Sequence, residues 1–361
     1  MTQGTSQHVS KAKRLRLSRG ESMLRNRFRN ITIVMAGLLA LTSISFGVMS
    51  SAGAATKHKV KTYNVAYLSY GVANSYDAPM LAAAKAVAAT TGHVNVTVFD
   101  SQSTDTLQVS ELQDVISSHH YQGIIVQPIY GPALLPGVKL AIKDKIKVVN
   151  IDQILGTNYS SDQIEVHGLS GNVVFFPAKI GSQLAAEAIL ACGSANPCKI
   201  ALVHNYTGDE PDAEITKTFD AGIAKDSSAS IVANGDGLYT PSVALTFVAD
   251  TLVANPSLNV IVGADQDCEG AQSALTSAKN TTVKLVCYGA SATGIAAVKS
   301  GAWFADVAQL PATEGELGMI ALIKAMKTGK GSGSQNPVAK LPNNGIVTKA
   351  NASKFVGEWP G

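Results

Sequence analysis

Arginine is absent from most of this sequence. The arginines all lie within the first 29 residues, and none occurs between Asn30 and Gly361. The first 55 residues hold eight of the 29 Lys and Arg residues and one of the 26 acidic residues, which leaves 21 basic and 25 acidic residues in the remainder. This mildly acidic body argues against a nucleic-acid-binding face. Without guanidinium groups, it also cannot hold a carboxylate or phosphate through paired hydrogen bonds.

Common catalytic motifs are also missing. The sequence has no GxSxG elbow, no HExxH zinc motif and no GxxxxGK[ST] phosphate loop, and no GxGxxG follows its first predicted strand. The pair His119-His120 closes a predicted helix, where a solvated position is expected. Asp265 and Asp267 resemble a glycosidase carboxylate pair, but the sequence does not fix their separation. We therefore expect no catalytic residues, no metal and no cofactor.

The N-terminal segment differs from everything that follows. Its order is a basic stretch at 11–29, an apolar stretch at 31–48 and a run of small residues at 51–55. This order predicts a secretory signal within residues 1–55, with cleavage after Ala54 or Ala55. An uncleaved membrane anchor is the alternative, because the apolar stretch is nearly long enough to span a bilayer. In both cases we expect the rest of the chain to work outside the cytoplasm, in the periplasm or at the exterior of the cell envelope.

Four cysteines follow this segment, an even number that suits an oxidising compartment. Cys192 and Cys198 flank a short loop between a predicted helix and a predicted strand, so we expect a disulfide between them. Cys268 and Cys287 can pair if the strands near them are neighbours. Zinc binding is the rival interpretation, but no CxxC and no nearby His pair supports it.

Apolar strands alternate with amphipathic helices after the leader. The nine predicted strands are Asn64–Ser69, Val94–Phe99, Gly123–Gln127, Lys147–Ile151, Lys199–His204, Ser230–Ala233, Asn259–Gly263, Lys284–Tyr288 and Trp303–Val307. This alternation is typical of βαβ units and of parallel sheets covered by helices on both faces. Because nine strands would make a wide single sheet, we expect two sheets. The break is predicted between Ile154 and Asn172, where Gly, Ser, Asn and Asp cluster.

Polar side chains recur where the predicted strands end. The set comprises Asn74, Tyr76, Asp100-Ser101-Gln102, Asp152-Gln153, Gly208-Asp209-Glu210, Tyr239, Asp265-Gln266-Asp267 and Gln309. Ligands bind beyond the carboxyl ends of parallel strands, where such loops meet. Amides and carboxylates hydrogen-bond to hydroxyl groups, and aromatic faces cover the apolar side of a sugar ring. The pattern favours a cleft for a neutral polyhydroxyl ligand, whereas a single residue such as Asp77 fits a helix cap.

Four short motifs occur in a distinctive order. They are Phe99-Asp100-Ser101-Gln102, Val149-Asn150-Ile151-Asp152, Gly171-Asn172-Val173 at the start of a predicted helix, and Ala308-Gln309-Leu310-Pro311. With them the chain resembles the sugar-binding periplasmic receptors of ABC importers, the ribose-binding-protein-like type I family, over about residues 60–350.

This resemblance implies an α/β fold of two αβα lobes with parallel sheets, the periplasmic-binding-protein type I fold. Three hinge crossings are then expected near Ser170–Gly171, Gln309–Leu310 and Lys340–Asn343. The N-terminal lobe would comprise residues 60–170 and 310–341, and the C-terminal lobe residues 171–309 and 342–361.

The resemblance also assigns ligand contacts residue by residue. They fall on Asn74, Tyr76, Asp152, Gln153, Tyr239, Asp265 and Gln309. Three positions depart from the family pattern, since Gln153 and Ile215 replace expected arginines and Gly289 replaces an expected aspartate. The loss of these hydrogen-bonding groups favours a ligand other than ribose, one that is larger or less polar.

The partners implied by the resemblance are a carbohydrate-like small molecule and the membrane permease of an ABC transporter. The chain is expected to be a monomer that closes about its hinge, binds no nucleic acid and alters no ligand. Two alternatives share the two-lobed core: a receptor that reports to a signalling partner, and a lactose-repressor-type regulator. The regulator requires an N-terminal helix-turn-helix, whereas residues 1–55 predict a leader.

Overall fold

A computed structural model describes residues 60–207 and 209–361. The predicted leader, its cleavage site after Ala54 or Ala55 and the position of a repressor's helix-turn-helix lie outside the described residues. None of the helices in this part of the chain combines the length and the apolar character that a membrane crossing needs.

Strands and helices alternate along the described chain, as the hydrophobic periodicity predicts. The elements up to the first change of sheet are β1 (Tyr63–Ser69), α1 (Asp77–Thr91), β2 (Val94–Asp100), α2 (Asp105–Ser117), β3 (Gly123–Val126), α3 (Gly131–Lys143), β4 (Lys147–Asp152) and β5 (Gly171–Val174). The next group is α4 (Pro177–Cys192), β6 (Cys198–His204), α5 (Glu210–Ile223), β7 (Ala229–Asp236), α6 (Pro241–Ala254), β8 (Val260–Ala264), α7 (Asp265–Ser277), β9 (Lys284–Gly289), α8 (Ala292–Ser300) and β10 (Ala305–Ala308). The last group is α9 (Pro311–Thr328), β11 (Ser334–Gln335) and β12 (Ile346–Thr348), with short 3-10 turns at Pro342–Gly345 and Ala352–Lys354.

The strands form two six-stranded sheets, which confirms the prediction of two sheets. The first sheet is parallel throughout and has the order β11-β5-β4-β3-β1-β2. The second has the order β12-β10-β9-β8-β6-β7, and only β12 runs antiparallel to its neighbour. The chain passes between the sheets three times: after β5, between β10 and α9, and between β11 and β12.

Both faces of each sheet are buried under helices. In β1, Val65 and Tyr67 pack with α1 and α9, whereas Ala66 and Leu68 pack with α2 and α3 on the opposite face. Successive side chains on a strand point to opposite faces, so a strand buried on both sides reads as a continuous apolar run. The second sheet is covered by α4 and α5 on one face and by α6, α7 and α8 on the other.

The segment after Ser170 differs from its prediction. Gly171–Val174 is strand β5, which pairs in parallel with β4, and not the start of a helix. Helix α4 begins six residues later at Pro177. Proline suits the first helical position because its missing N–H is one that the helix leaves unpaired in any case. The domain boundary at Ser170–Gly171 stays a prediction, but β5 belongs to the first sheet.

Two disulfides connect the four cysteines in the pairs considered from the sequence. Cys192–Cys198 closes the short loop between α4 and β6. Cys268–Cys287 joins α7 to β9, and the strands β8 and β9 are indeed parallel neighbours. Both disulfides lie in the part of the chain that packs on the second sheet.

Candidate ligand-binding site

A cavity of about 310 Å³ lies at the carboxyl ends of strands from both sheets. Small-molecule sites have volumes of roughly 300–1,000 Å³. Six of the seven ligand contacts expected from the sequence line its wall: Asn74, Tyr76, Asp152, Gln153, Tyr239 and Gln309. The structure therefore brings side chains together that are separated by up to 235 residues in the sequence, from 74 to 309.

Other residues of the wall were not singled out as ligand contacts. They are Tyr70, Asp77, Ser103, Phe175, Tyr206, Leu238, Thr240, Ala264, Gln266, Tyr288 and Trp359. Five of these eleven residues are adjacent in the sequence to a predicted contact, so the same strand-end loops supply them: Asp77, Leu238, Thr240, Ala264 and Gln266. Phe175 lies in a crossing between the sheets, and Trp359 lies in the C-terminal segment, where the strand pattern gives no signal.

Asp152 is the most constrained side chain of the wall. It ends β4, it is 3% exposed, and its backbone φ of 67° lies in the left-handed region. Its Oδ2 accepts a hydrogen bond of 3.0 Å from Gln127 Nε2, while its Oδ1 has no partner. A buried oxygen without a partner costs free energy that a ligand donor recovers.

Gln127 joins Asp152 to a second carboxyl group of the wall. Its Nε2 also donates to Asp77 Oδ1 at 2.6 Å, and its Oε1 accepts from the backbone N–H of Tyr70 at 3.1 Å. Gln127 itself is fully buried. Its amide fixes Asp77 and Asp152 relative to each other and to the loop after β1.

Burial raises the pKa of both carboxyl groups, to about 8 for Asp77 and to about 6 for Asp152. The charge of Asp152 raises the pKa of Asp77 further, and the hydrogen bonds from Gln127 lower the pKa of both groups. The Tyr76 hydroxyl also lowers the pKa of Asp152. Near pH 7, Asp152 is therefore the carboxylate and Asp77 the carboxylic acid. The wall presents one negative charge beside one neutral acid.

Several non-glycine residues of the wall have strained backbone conformations. Besides Asp152, the φ angles of Ser103, Leu238 and Tyr239 are 57°, 58° and 49°. Such conformations cost about 1–3 kcal/mol each and cluster at functional sites, where the surrounding structure holds them. Their concentration around this cavity supports its assignment as the functional site.

The second sheet supplies a wall of phenols. Tyr206 and Tyr239 lie with ring centroids 6.1 Å apart. Tyr288 accepts a hydrogen bond from Asn205 Nδ2, and Asn205 donates both its N–H and its Nδ2 to Asp212 Oδ1, at 3.0 and 3.1 Å. This chain of hydrogen bonds fixes the Tyr288 ring against the cavity.

Asp265, the seventh predicted contact, does not line the cavity. Its side chain is fully buried, and its Oδ2 accepts the backbone N–H of Ser291 at 2.7 Å. It lies beside Asp306, whose Oδ1 accepts the N–H of Ala290 at 3.0 Å. Burial raises the pKa of both carboxyl groups. Asp265 is the first residue of α7, and its neighbour Gln266 lines the wall in its place.

The residues considered for catalysis or metal binding lie elsewhere. Asp267 is fully buried outside the cavity wall. No group of three or more His, Cys, Asp or Glu side chains within residues 60–207 and 209–361 is arranged to hold a metal ion.

Comparison with known proteins identifies the fold family. A family model described as a periplasmic binding protein domain matches residues 65–331, about three quarters of the chain. The chain belongs to this family. The ribose import binding protein of Salmonella typhimurium is 24% identical to this periplasmic binding protein over 234 residues, which are 64% of this chain and 75% of that protein. The D-allose-binding periplasmic protein of Escherichia coli is 27% identical over 246 residues, 66% of this chain and 76% of that protein.

A solved structure has the same fold as this periplasmic binding protein. It is an ABC transporter solute binding protein from Bacillus halodurans with bound myo-inositol, and its TM-score is 0.71 at 18% identity. The match covers 81% of this chain and 96% of that chain.

Two of the three departures from the family pattern have a structural explanation in this periplasmic binding protein. Ile215, on α5, is 5% exposed and packs in the core beneath the second sheet, away from the cavity. Gly289 has a φ of 138°, and a Cβ built there would lie 2.7 Å from the Trp359 ring. The Trp359 indole donates its Nε1–H to Gly289 O at 3.0 Å. An aromatic ring thus occupies the space that an aspartate side chain at position 289 would need.

Proposed function

We propose that this chain is an extracytoplasmic solute-binding protein of an ABC importer, which closes around a sugar or similar small polar ligand. The observation that carries this proposal is the cavity itself. Its wall combines amide, hydroxyl and carboxyl groups with aromatic rings, and one buried carboxylate oxygen, Asp152 Oδ1, has no partner. The names of the two curated relatives, which refer to ribose and D-allose, support the same class of ligand.

Binding occurs by rotation of two lobes about the three crossings. We take the first lobe as the part of the chain that packs on the first sheet, and the second lobe as the part that packs on the second sheet. Since β5 pairs with β4, the first crossing is better drawn at Phe175–Phe176 than at Ser170–Gly171. Short crossings absorb the change in φ and ψ, so each lobe moves without repacking. A ligand favours the closed form only through contacts that the open form lacks, and here the wall comes from both lobes.

The proposed role includes no catalysis. The two carboxyl groups of the wall, Asp77 and Asp152, are both tied to the amide of Gln127. The pair Asp265 and Asp267 lies outside the wall. We also propose that the protein works outside the cytoplasm as a monomer, because the wall is complete within one chain and both disulfides suit an oxidising compartment.

A ligand screen tests this function. The purified protein is heated alone and with each member of a panel of neutral sugars, polyols and amino sugars, each near 1 mM. A ligand with a micromolar Kd stabilises the folded state by about 4 kcal/mol when it exceeds Kd a thousandfold, which raises Tm by several degrees. Small-angle scattering with the best ligand is expected to give a smaller radius of gyration.

Asp152→Ala provides the site-directed test. Hydrogen bonds to a charged group contribute about 1.5–3 kcal/mol, so the variant is expected to bind at least about tenfold more weakly. The matched control is Asp144→Ala, an exposed carboxylate at the end of α3. A panel in which no compound raises Tm contradicts the proposed function. A chemically altered ligand after long incubation contradicts the absence of catalysis.

A further inference from the structure

The charge balance of the cavity wall restricts its ligand further. Two carboxyl groups, Asp77 and Asp152, line the wall, and no Lys, Arg or His is among the described residues that do so. Every arginine of the sequence lies within its first 29 residues. No basic side chain on the wall therefore neutralises the carboxylate of Asp152.

The hydrogen bonds of Asp152 leave its charge only partly compensated. Among the described residues, Gln127 Nε2 donates to this carboxylate in good hydrogen-bond geometry, and that amide is shared with Asp77. The Tyr76 hydroxyl lies close enough to lower the pKa of Asp152 but does not reach such a geometry. Asp152 Oδ1, which belongs to a side chain 3% exposed, has no donor. Any donor to this carboxylate makes a charge-assisted hydrogen bond. An ammonium group adds the Coulombic attraction between opposite charges, which is strong at a site screened from water, so it matches this oxygen better than a hydroxyl group does.

Aromatic rings form much of the remaining wall. Seven of the lining residues are aromatic, and Tyr76, Tyr239 and Trp359 are among them. The faces of such rings carry a negative electrostatic potential and attract cations, most strongly in tryptophan. The Tyr76 Oη is buried without a partner, and burial raises the pKa of its phenol well above its usual value, so the phenol stays neutral.

The wall also retains groups that recognise hydroxyls. Asn74, Gln153, Gln266 and Gln309 offer amides, and Thr240 offers a hydroxyl group. These groups both donate and accept hydrogen bonds, which suits a ligand rich in hydroxyl groups. The wall therefore combines an uncompensated carboxylate and aromatic faces with a hydroxyl-binding set.

From these observations we infer that the ligand is a polyhydroxylated amine, such as an amino sugar or an aminocyclitol, whose ammonium group is held by Asp152 and the surrounding rings. This inference rests on the proposed function and narrows its ligand class. The amine replaces one hydroxyl group of a neutral sugar, and the remaining hydroxyls bind to the amide groups of the wall.

Matched pairs of ligands test the inference by isothermal titration calorimetry at pH 7. The pairs are D-glucose with D-glucosamine, D-galactose with D-galactosamine, and myo-inositol with an inosamine. N-acetyl-D-glucosamine is added because it keeps the nitrogen but removes the charge. The expected result is that in at least one pair the amine binds about tenfold or more tightly than its neutral partner, and that acetylation removes this advantage.

Asp152→Asn identifies the residue responsible. The asparagine keeps an oxygen to accept from Gln127 but carries no charge, so the preference for the amine is expected to fall to about twofold or less. Asp144→Asn removes an exposed carboxylate outside the wall and is expected to keep the preference of the native protein. Thermal unfolding verifies that both variants are folded. If Asp152→Asn does not fold, the comparison of amine and neutral ligands in the native protein still tests the inference.

The outcomes separate this inference from the proposed function. If neutral members bind as tightly as their amines or more tightly, the inference is wrong and the proposed function stands. If no member of any pair binds, both fail. A preference for amines that survives in folded Asp152→Asn overturns the assignment of the ammonium group to Asp152.

Discussion

The Trp359 indole meets the Tyr76 phenol ring nearly edge to face, with ring centroids 5.5 Å apart and ring planes at 79°. Tyr76 precedes α1, which packs on the first sheet, whereas Trp359 is hydrogen-bonded to Gly289 at the end of β9 in the second sheet. Both rings line the cavity. Such pairs contribute about 0.5–1.5 kcal/mol beyond the burial of their area, so this contact connects the two sides of the cavity.

Substitutions at Trp359 are expected to separate its hydrogen bond from its packing. Trp359→Phe keeps a ring beside Tyr76 but removes the donor to Gly289 O, at an expected cost of about 0.5–1.5 kcal/mol. Trp359→Ala also removes the buried ring and is expected to cost about 3–5 kcal/mol. Urea denaturation followed by circular dichroism measures both values. Equal losses in the two variants would show that the ring contributes nothing beyond its hydrogen bond.

The position at which α7 begins predicts different effects on ligand binding for two adjacent residues. Gln266 lines the cavity and Asp265 does not, so Gln266→Ala is expected to weaken ligand binding about threefold to tenfold. Asp265→Asn is expected to change the affinity by less than about twofold, because its carboxyl group accepts the backbone N–H of Ser291 away from the cavity wall. Calorimetry with a ligand found in the screen checks the pair. Strong loss in Asp265→Asn with none in Gln266→Ala would reverse the assignment.

Asp77 is expected to make stability fall as pH rises. Its folded-state pKa of about 8 lies above the ordinary aspartate value of 3.8, so the folded protein binds the proton more tightly than the unfolded chain. The associated stability is fully present below about pH 4 and is lost as pH rises through 8. Asp152 from β4, Asp100 from β2 and Glu314 from α9 are the acidic groups that face it, and Gln127 is its hydrogen-bond donor.

Asp77→Asn tests this linkage, because asparagine can still accept the hydrogen bond from Gln127. Thermal unfolding of the variant and the native protein between pH 5 and pH 9 measures it. The Tm of the variant relative to the native protein is expected to increase with pH, by several degrees over the range. A difference that is constant with pH, or that shrinks as pH rises, would contradict the raised pKa.

Loss of the disulfides is expected to destabilise the protein by amounts that follow their loop lengths. Cys268–Cys287 has a sequence separation of 19 residues and Cys192–Cys198 one of six. Loop-closure entropy predicts about 3 kcal/mol for the first and about 2 kcal/mol for the second. Double alanine variants at each pair, compared by denaturation, measure these values. A larger loss from Cys192/Cys198 would show that native-state packing outweighs the entropy of the unfolded chain.

Much of the fold follows from hydrophobic patterning, because strands buried on both faces read as apolar runs such as Val65–Leu68. Patterning does not reveal β11 or β12, which have two and three residues. Strand β5 was missed for a related reason. Its four residues include Gly171 and Asn172, which are poor strand formers, and its pairing with β4 over long range overrides their local preference.

The residues that line the cavity can be predicted from the sequence where strand ends determine them. They cannot be predicted where the direction of a side chain determines them. The sequence predicts Asp152 and Gln309 as ligand contacts because each lies at the end of a strand, and both line the cavity. Asp265 and Gln266 are adjacent in sequence, and only the start of α7 decides which of them faces the cavity. The role of Gln127 and the approach of Trp359 depend on tertiary contacts, for which a single sequence carries no signal.

The position of Trp359 also gives the protein an intrinsic optical reporter. The sequence contains two tryptophans. Trp303 is 2% exposed in the core of the second sheet, whereas Trp359 lines the cavity against Tyr76. The proposed closure around a ligand would change the surroundings of the Trp359 indole and leave those of Trp303 intact. A change in tryptophan emission on ligand addition therefore arises at the cavity wall, so an unlabelled titration measures occupancy of the cavity directly.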